Sequence, residues 1–102
     1  MVQKIELLPF DAAEYVTEME DVIDFLNDAF ESGNLPYITN VLGMLARSKG
    51  MTRLAEKTGV NRQALYSALS ESGNPTLETL LKVMNALGFR LKCEAIADAK
   101  AA

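Results

Sequence analysis

Histidine is absent from this 102-residue chain, and cysteine occurs once, as Cys93. Without histidine there are no Ser-His or Cys-His nucleophile pairs and no His-containing zinc sites. A lone thiol makes neither an internal disulfide nor a thiolate metal cluster, and it suits a reducing, cytoplasmic compartment. No apolar run approaches the ~20 residues that a membrane-crossing helix needs, so no membrane role is expected. The N-terminal stretch MVQKIELLPFDAAEY has no basic region followed by an uninterrupted apolar one, so it does not read as a secretory leader. There is no internal repeat and no low-complexity block. Carboxylates are the chemistry that remains, and they are spread along one helical segment as a solvated face would be. The chain therefore reads as a non-enzyme with no metal and no cofactor.

Hydrophobic residues make up 49% of the chain, enough to bury the core of one domain. The formal charge of −4 hides a division. Residues 1–40 hold one cation, Lys4, and nine anions, a balance of −8. Residues 41–102 hold nine cations and five anions, a balance of +4. Such asymmetry suggests two jobs, one toward cationic partners and one toward anionic ones. The plainer alternative is an acidic helix that keeps the protein soluble.

The hydrophobic spacing predicts a succession of helices. Residues IELLPFDAAEYV read as an extended entry and then a short helix capped by Asp11. Thr17 and Glu20 have capping-box spacing, so a second helix is expected over 18–32. Its stripe is Val22, Ile23, Leu26, Ala29 and Phe30, and Gly33 ends it. A third helix follows Asn34, with Pro36 in its first turn. Ile38, Val41, Leu42, Leu45 and Ala46 form its apolar face. Arg47 and Lys49 favour its C-terminal end, and Gly50 stops it. Two short helices come next, capped by Thr52 and Asn61, with Gly59 supplying a positive φ between them. After the turn-rich SESGNP, Thr76 caps a last helix over 77–87 with Leu77, Leu80, Leu81, Met84 and Leu87 as its buried stripe. Residues 89–94 alternate apolar and charged, the pattern of a short strand that could pair with its copy in a second subunit. Residues 95–102 read as a flexible tail. The chain is thus expected to be a single domain: an acidic helical extension (1–33), a two-helix motif domain (35–88), a strand (89–94) and the tail.

The stretch MTRLAEKTGVNRQALYSALS, residues 51–70, carries the sharpest signal. In a helix-turn-helix the second helix lies in the DNA major groove and the first holds it there. Inner positions must be apolar or small, as Leu54, Ala55, Val60, Leu65 and Leu69 are, and Ala64 and Ala68 would permit close helix approach. Outer positions must carry donors and acceptors, as Asn61, Arg62, Gln63, Tyr66, Ser67 and Ser70 do. None of these outward positions is acidic.

On these residues, 51–70 resemble the helix-turn-helix of the phage Cro and repressor family, and GNPTLETLLKVMNALG is similar to that family's continuation. The span from FDAAEYV to GNPTLETLLKVMNALGFRLK, roughly 10–92, resembles a narrower group: the addiction module antidote proteins, HigA-like antitoxins of bacterial toxin–antitoxin pairs. The resemblance implies an all-α, lambda-repressor-like DNA-binding domain of five or six helices with a short C-terminal β-strand. It implies a homodimer on a palindromic double-stranded operator and a cognate toxin, a small basic mRNA-cleaving protein. One departure stands out. Met51 lies where many Cro and repressor relatives place a phosphate-binding Gln, so that contact would be lost or moved to Thr52 or Arg53.

Arg62 is the first candidate for reading a base, since a guanidinium bonds guanine O6 and N7 together. Its plainer role is a surface arginine in a weak ion pair. Gln63 suits adenine, Tyr66 a thymine methyl or a phosphate, and Ser67 is a weaker candidate of the same kind. Thr52, Arg53, Lys57, Asn61, Ser70, Asn74 and Thr76 would position the chain on phosphates. For Asn61 the capping role weighs more, and for the others an ordinary solvated surface is the alternative. Three functions stay open: an antitoxin that represses its own operon, a free-standing phage-type regulator, and an interaction module that no longer binds DNA. The toxin gene next door separates the first two, and a gel shift on the chain's own promoter tests the third.

Overall fold

The computed structural model describes residues 9–97, with side chains from Glu18 onward, and it contains five helices. They are α1 (Pro9–Ser32), α2 (Leu35–Lys49), α3 (Met51–Thr58), α4 (Arg62–Ala68) and α5 (Leu77–Ala86). Helix α1 packs on α2, α2 on α3, and α3 on both α4 and α5. Leu26 and Ala29 of α1, Val41, Leu42 and Ala46 of α2, Met51 and Leu54 of α3, Leu65 and Leu69 around α4, and Val83, Met84 and Leu87 around α5 close one core.

The helix ends follow from side-chain chemistry. Asn34 accepts the Tyr37 N–H at 3.0 Å and caps α2, with Pro36 in the first turn. Arg47 and Lys49 sit in its last turn, where the helix dipole favours cations. Thr76 caps α5 by accepting the Thr79 N–H at 3.1 Å, and Glu78 lies in the first turn. The Phe89 N–H closes that helix on Met84 O at 2.8 Å, across Gly88 at φ 95°.

Several expectations are corrected. The break at Thr17 is absent: α1 runs unbroken for 24 residues, because nothing between Pro9 and Ser32 interrupts helix propensity. The expected caps by Asp11 and Thr17 concern side chains outside the described ones. Thr52 does not cap α3; that helix starts at Met51, and its N-cap is Gly50, with no side-chain cap bond. The stripe of α5 is rotated from the expected one. Leu77 is 65% exposed and Leu81 46%, while Val83 joins Met84 and Leu87 inside. Ile23 of α1 is likewise exposed. Thr39 is fully buried; its hydroxyl donates to Leu35 O and Pro36 O, both at 3.2 Å, so a polar group sits inside without an unmet bond. The strand expected over 89–94 is not formed: among the described residues there is no strand at all. A strand needs a neighbour for its backbone groups, and among the described residues this segment has none. Of the tail, residues 98–102 lie outside the described residues.

One close approach fixes how α2 meets the end of α4. A Cβ on Gly43 would lie 2.4 Å from the Leu69 carbonyl oxygen and 3.1 Å from Arg47 Nη1. The first clash is with backbone, so a helix must move. Gly43→Ala gains ~1 kcal/mol of helix propensity but meets a steric cost of ~1–3 kcal/mol or more. The expected outcome is a net loss of stability, read as a lower denaturation midpoint.

Candidate nucleic-acid interface

Helices α3 and α4 and their connection form the candidate site. Helix α3 turns Met51, Leu54 and Thr58 inward and leaves Thr52, Arg53, Glu56 and Lys57 in solvent. Thr58 then organises the turn. Its hydroxyl donates to Leu54 O at 2.8 Å and accepts the Val60 N–H at 3.1 Å. Gly59 takes φ 74°, and its N–H bonds Ala55 O at 2.9 Å. That left-handed residue turns the chain sharply, which a Cβ would strain. Val60 tucks against the core. Asn61 accepts the Gln63 and Ala64 N–H groups at 2.8 and 3.2 Å and starts α4.

The second helix spans seven residues, anchored by Leu65 within it and by Leu69 just after it, while Arg62, Gln63, Ala64, Tyr66 and Ser67 face solvent. Arg62 lies over the Tyr66 ring, 5.5 Å from its centroid. This cation–π contact holds the guanidinium near the helix start without neutralising it. Among the described residues the recorded ion pair is Glu78–Lys82 at 3.3 Å, so the plainer ion-pair role for Arg62 is not seen. Asn61, Arg62, Gln63 and Tyr66 together line one shallow depression.

Other sequence-named residues are placed differently. Arg53 and Lys57 line a second depression with Lys49, Gly50, Ala86, Leu87 and Gly88, between α3 and the end of α5. It shares no residue with the first. Lys57 also borders Leu81, Lys82 and Asn85. Lys49, Arg53 and Lys57 thus line one depression, a grouping that sequence spacing did not reveal, while Lys82 beyond Lys57 is paired with Glu78. Thr52 is exposed and lines neither depression. Met51 is only 5% exposed, a core residue, so its side chain offers nothing to a phosphate. Ser70 is half-buried, and its hydroxyl donates to Ser67 O at 2.8 Å. Asn74 is exposed, and the Thr76 hydroxyl is occupied by its cap. Ala64 was expected inside as a spacer. It is exposed beside Gln63 and so joins the outer face, where a methyl could meet a thymine.

Away from this face, α1 carries Glu18, Glu20, Asp21, Asp24, Asp28 and Glu31 in solvent. Asp28 accepts the Tyr37 hydroxyl at 2.6 Å, and Phe25 meets the Tyr37 ring edge-on at 6.4 Å. The hydrogen bond to the Asp28 carboxylate pushes the Tyr37 phenol above its ordinary range, with desolvation and the Asp28 charge adding to it.

A family model described as "Probable addiction module antidote protein" matches residues 6–95. The chain belongs to this family. The match takes in α1, helices α3 and α4 with their connection, and most of the segment after α5, so the acidic helix and the candidate interface of the antidote-family chain fall within one family unit. A relative in Haemophilus influenzae, described as an uncharacterized protein, is 38% identical over 89 residues, covering 87% of this chain and 92% of the relative. No solved structure matches. Among the described residues, no helix is long and apolar enough to cross a membrane.

Proposed function

We propose that this chain is the HigA-like antitoxin of a type II toxin–antitoxin module, acting in the cytoplasm without catalysis. It neutralises a small basic mRNA-cleaving toxin and represses its own operon as a homodimer on a palindromic operator, through a lambda-repressor-like domain over 35–88. The observation that carries the DNA half is the solvent face of α4, where Arg62, Gln63, Tyr66 and Ser67 stand together with no acid among them. Family membership carries the toxin half.

In this reading α4 enters the major groove. Arg62 bonds guanine O6 and N7, Gln63 bonds adenine, and Tyr66 and Ala64 meet thymine methyls. Lys57, Arg53, Thr52 and Asn74 hold phosphates, and Asn61 sets the start of α4. One short helix reads too few bases alone, so two copies place their reading helices about one DNA turn, ~34 Å, apart. The acidic face of α1 suits a cationic toxin, and opposite charges speed association.

Two measurements test it. Co-expression with the adjacent gene product should give a co-purifying complex. A gel shift on the chain's own promoter should give a specific band that competitor DNA of unrelated sequence does not remove. A specific band with no toxin-like neighbour would instead make the chain a free-standing regulator. Co-purification without any band would leave an antidote that does not regulate.

A further inference from the structure

Arg62 is the first residue of α4 and Tyr66 stands one helical turn later, so the two share a face. The first turn of a helix is where the dipole repels a cation. An arginine left to itself there swings into solvent, and it loses that freedom again when it meets a base. Here the guanidinium lies over the Tyr66 ring instead, 5.5 Å from its centroid, against the negative face of the π system. The other groups that could hold it are engaged or absent. The Asn61 side chain accepts the Gln63 and Ala64 N–H groups. Helix α4 carries no acid, and Arg62 has no ion pair among the described residues. Leu65, the residue before Tyr66, is fully buried, so the backbone that carries the ring is tied to the core.

The kind of contact matters. All five donors of a guanidinium lie at the edge of its plane. A carboxylate would take that edge, the same edge that guanine O6 and N7 require. An aromatic ring takes a face and leaves the edge open. We propose that Tyr66 is the positioning residue of the reading face. Its ring holds the Arg62 guanidinium in the orientation that meets guanine, and so sets how sharply the chain discriminates at that one base pair. This rests on the DNA reading proposed above. It gives Tyr66 a role exerted through Arg62, beside its own contact with a thymine methyl.

The test is a double-mutant cycle of Arg62→Ala and Tyr66→Ala, titrated on the chain's own promoter and on versions changed at single base pairs. Tyr66→Ala should weaken promoter binding about 2- to 5-fold, the worth of an exposed cation–π contact. It should blunt discrimination at the same base pair that Arg62→Ala blunts. In the Arg62→Ala background it should add nothing at that pair. Tyr66→Phe keeps the ring and should discriminate as wild type does. Tyr66→Leu keeps apolar bulk without a π face and should not. Circular dichroism should match wild type throughout. In the free protein, NMR should show Arg62 side-chain protons shifted upfield by the ring in wild type and Tyr66→Phe, and not in Tyr66→Ala. Additive losses at that base pair overturn the proposal. So does a Tyr66→Phe variant as weak as Tyr66→Ala, which would put the hydroxyl on a phosphate, and so does a Tyr66→Leu variant that discriminates normally. A wild-type protein without the upfield shift overturns it with no DNA present. The shift together with no specific promoter band is a different failure: the DNA reading falls and takes this role with it, while the stack stands.

Discussion

Leu65→Ala should cost ~2–5 kcal/mol of stability, the range for emptying a fully buried leucine site. Leu65 is 0% exposed and is the buried residue of α4, packed in the common core. A seven-residue helix has no stability of its own, so α4 exists because Leu65 and its neighbour Leu69 dock it. Domains of this size are stable by only ~5–15 kcal/mol, so the loss is a large share of the total. The check is a chemical denaturation curve set beside Leu77→Ala. Leu77 has the same side chain and is 65% exposed. Its removal should change stability by no more than ~0.5 kcal/mol. Equal losses in the two variants would mean that the burial pattern of α4 and α5 is wrong. Operator binding should fall with Leu65→Ala even below its unfolding midpoint, because the reading face loses its seat.

Arg62→Ala should leave the fold intact and weaken operator binding by ~1–3 kcal/mol, a loss of roughly 5- to 150-fold. The guanidinium is solvent-exposed and stacked on Tyr66 at 5.5 Å, with no ion pair among the described residues, so removing it breaks little within the protein. What goes is a bidentate donor at the start of α4, and the loss should concentrate on one base pair of each half-site. Lys57→Ala should behave differently. A phosphate contact weakens all sequences alike and lowers the salt slope by about one. Titrations on operator and scrambled DNA at several salt concentrations separate the two. If Arg62→Ala reduces both DNAs equally, Arg62 holds backbone and reads no base.

Local chemistry carried the helices and their ends. Asn34, Asn61 and Thr76 cap because a short oxygen-bearing side chain can reach the free N–H groups of the turn that follows it. Gly59 makes the turn because its missing Cβ permits φ 74°. These effects act over three or four residues, so spacing alone reveals them. The exposure of Arg62, Gln63, Tyr66 and Ser67 was legible too, since these polar residues recur at helical spacing, whereas Ala64 and Ser70 were misplaced.

Other features depend on partners distant in sequence. Leu77 and Leu81 sit on a plausible stripe, yet α5 is turned so that Val83 and Met84 meet the core. Ala64 is small enough for a helix contact, but α4 seats on Leu65 and Leu69 instead. The cationic group of Lys49, Arg53 and Lys57 comes from two helices and has no sequence signature. Met51 raised doubt as a missing phosphate ligand, and packing gives it another job, in the core.

By itself the sequence determined helices α2 to α5, the caps at Asn61 and Thr76, the turn at Gly59 and the acidic and basic halves, because each is set by residues a few positions apart. Only the tertiary structure decided which face of each helix is buried and which cations stand together. It also decided that 89–94 has no strand partner among the described residues. Those outcomes depend on how helices rotate to bury the most apolar surface together, and no single segment contains that information.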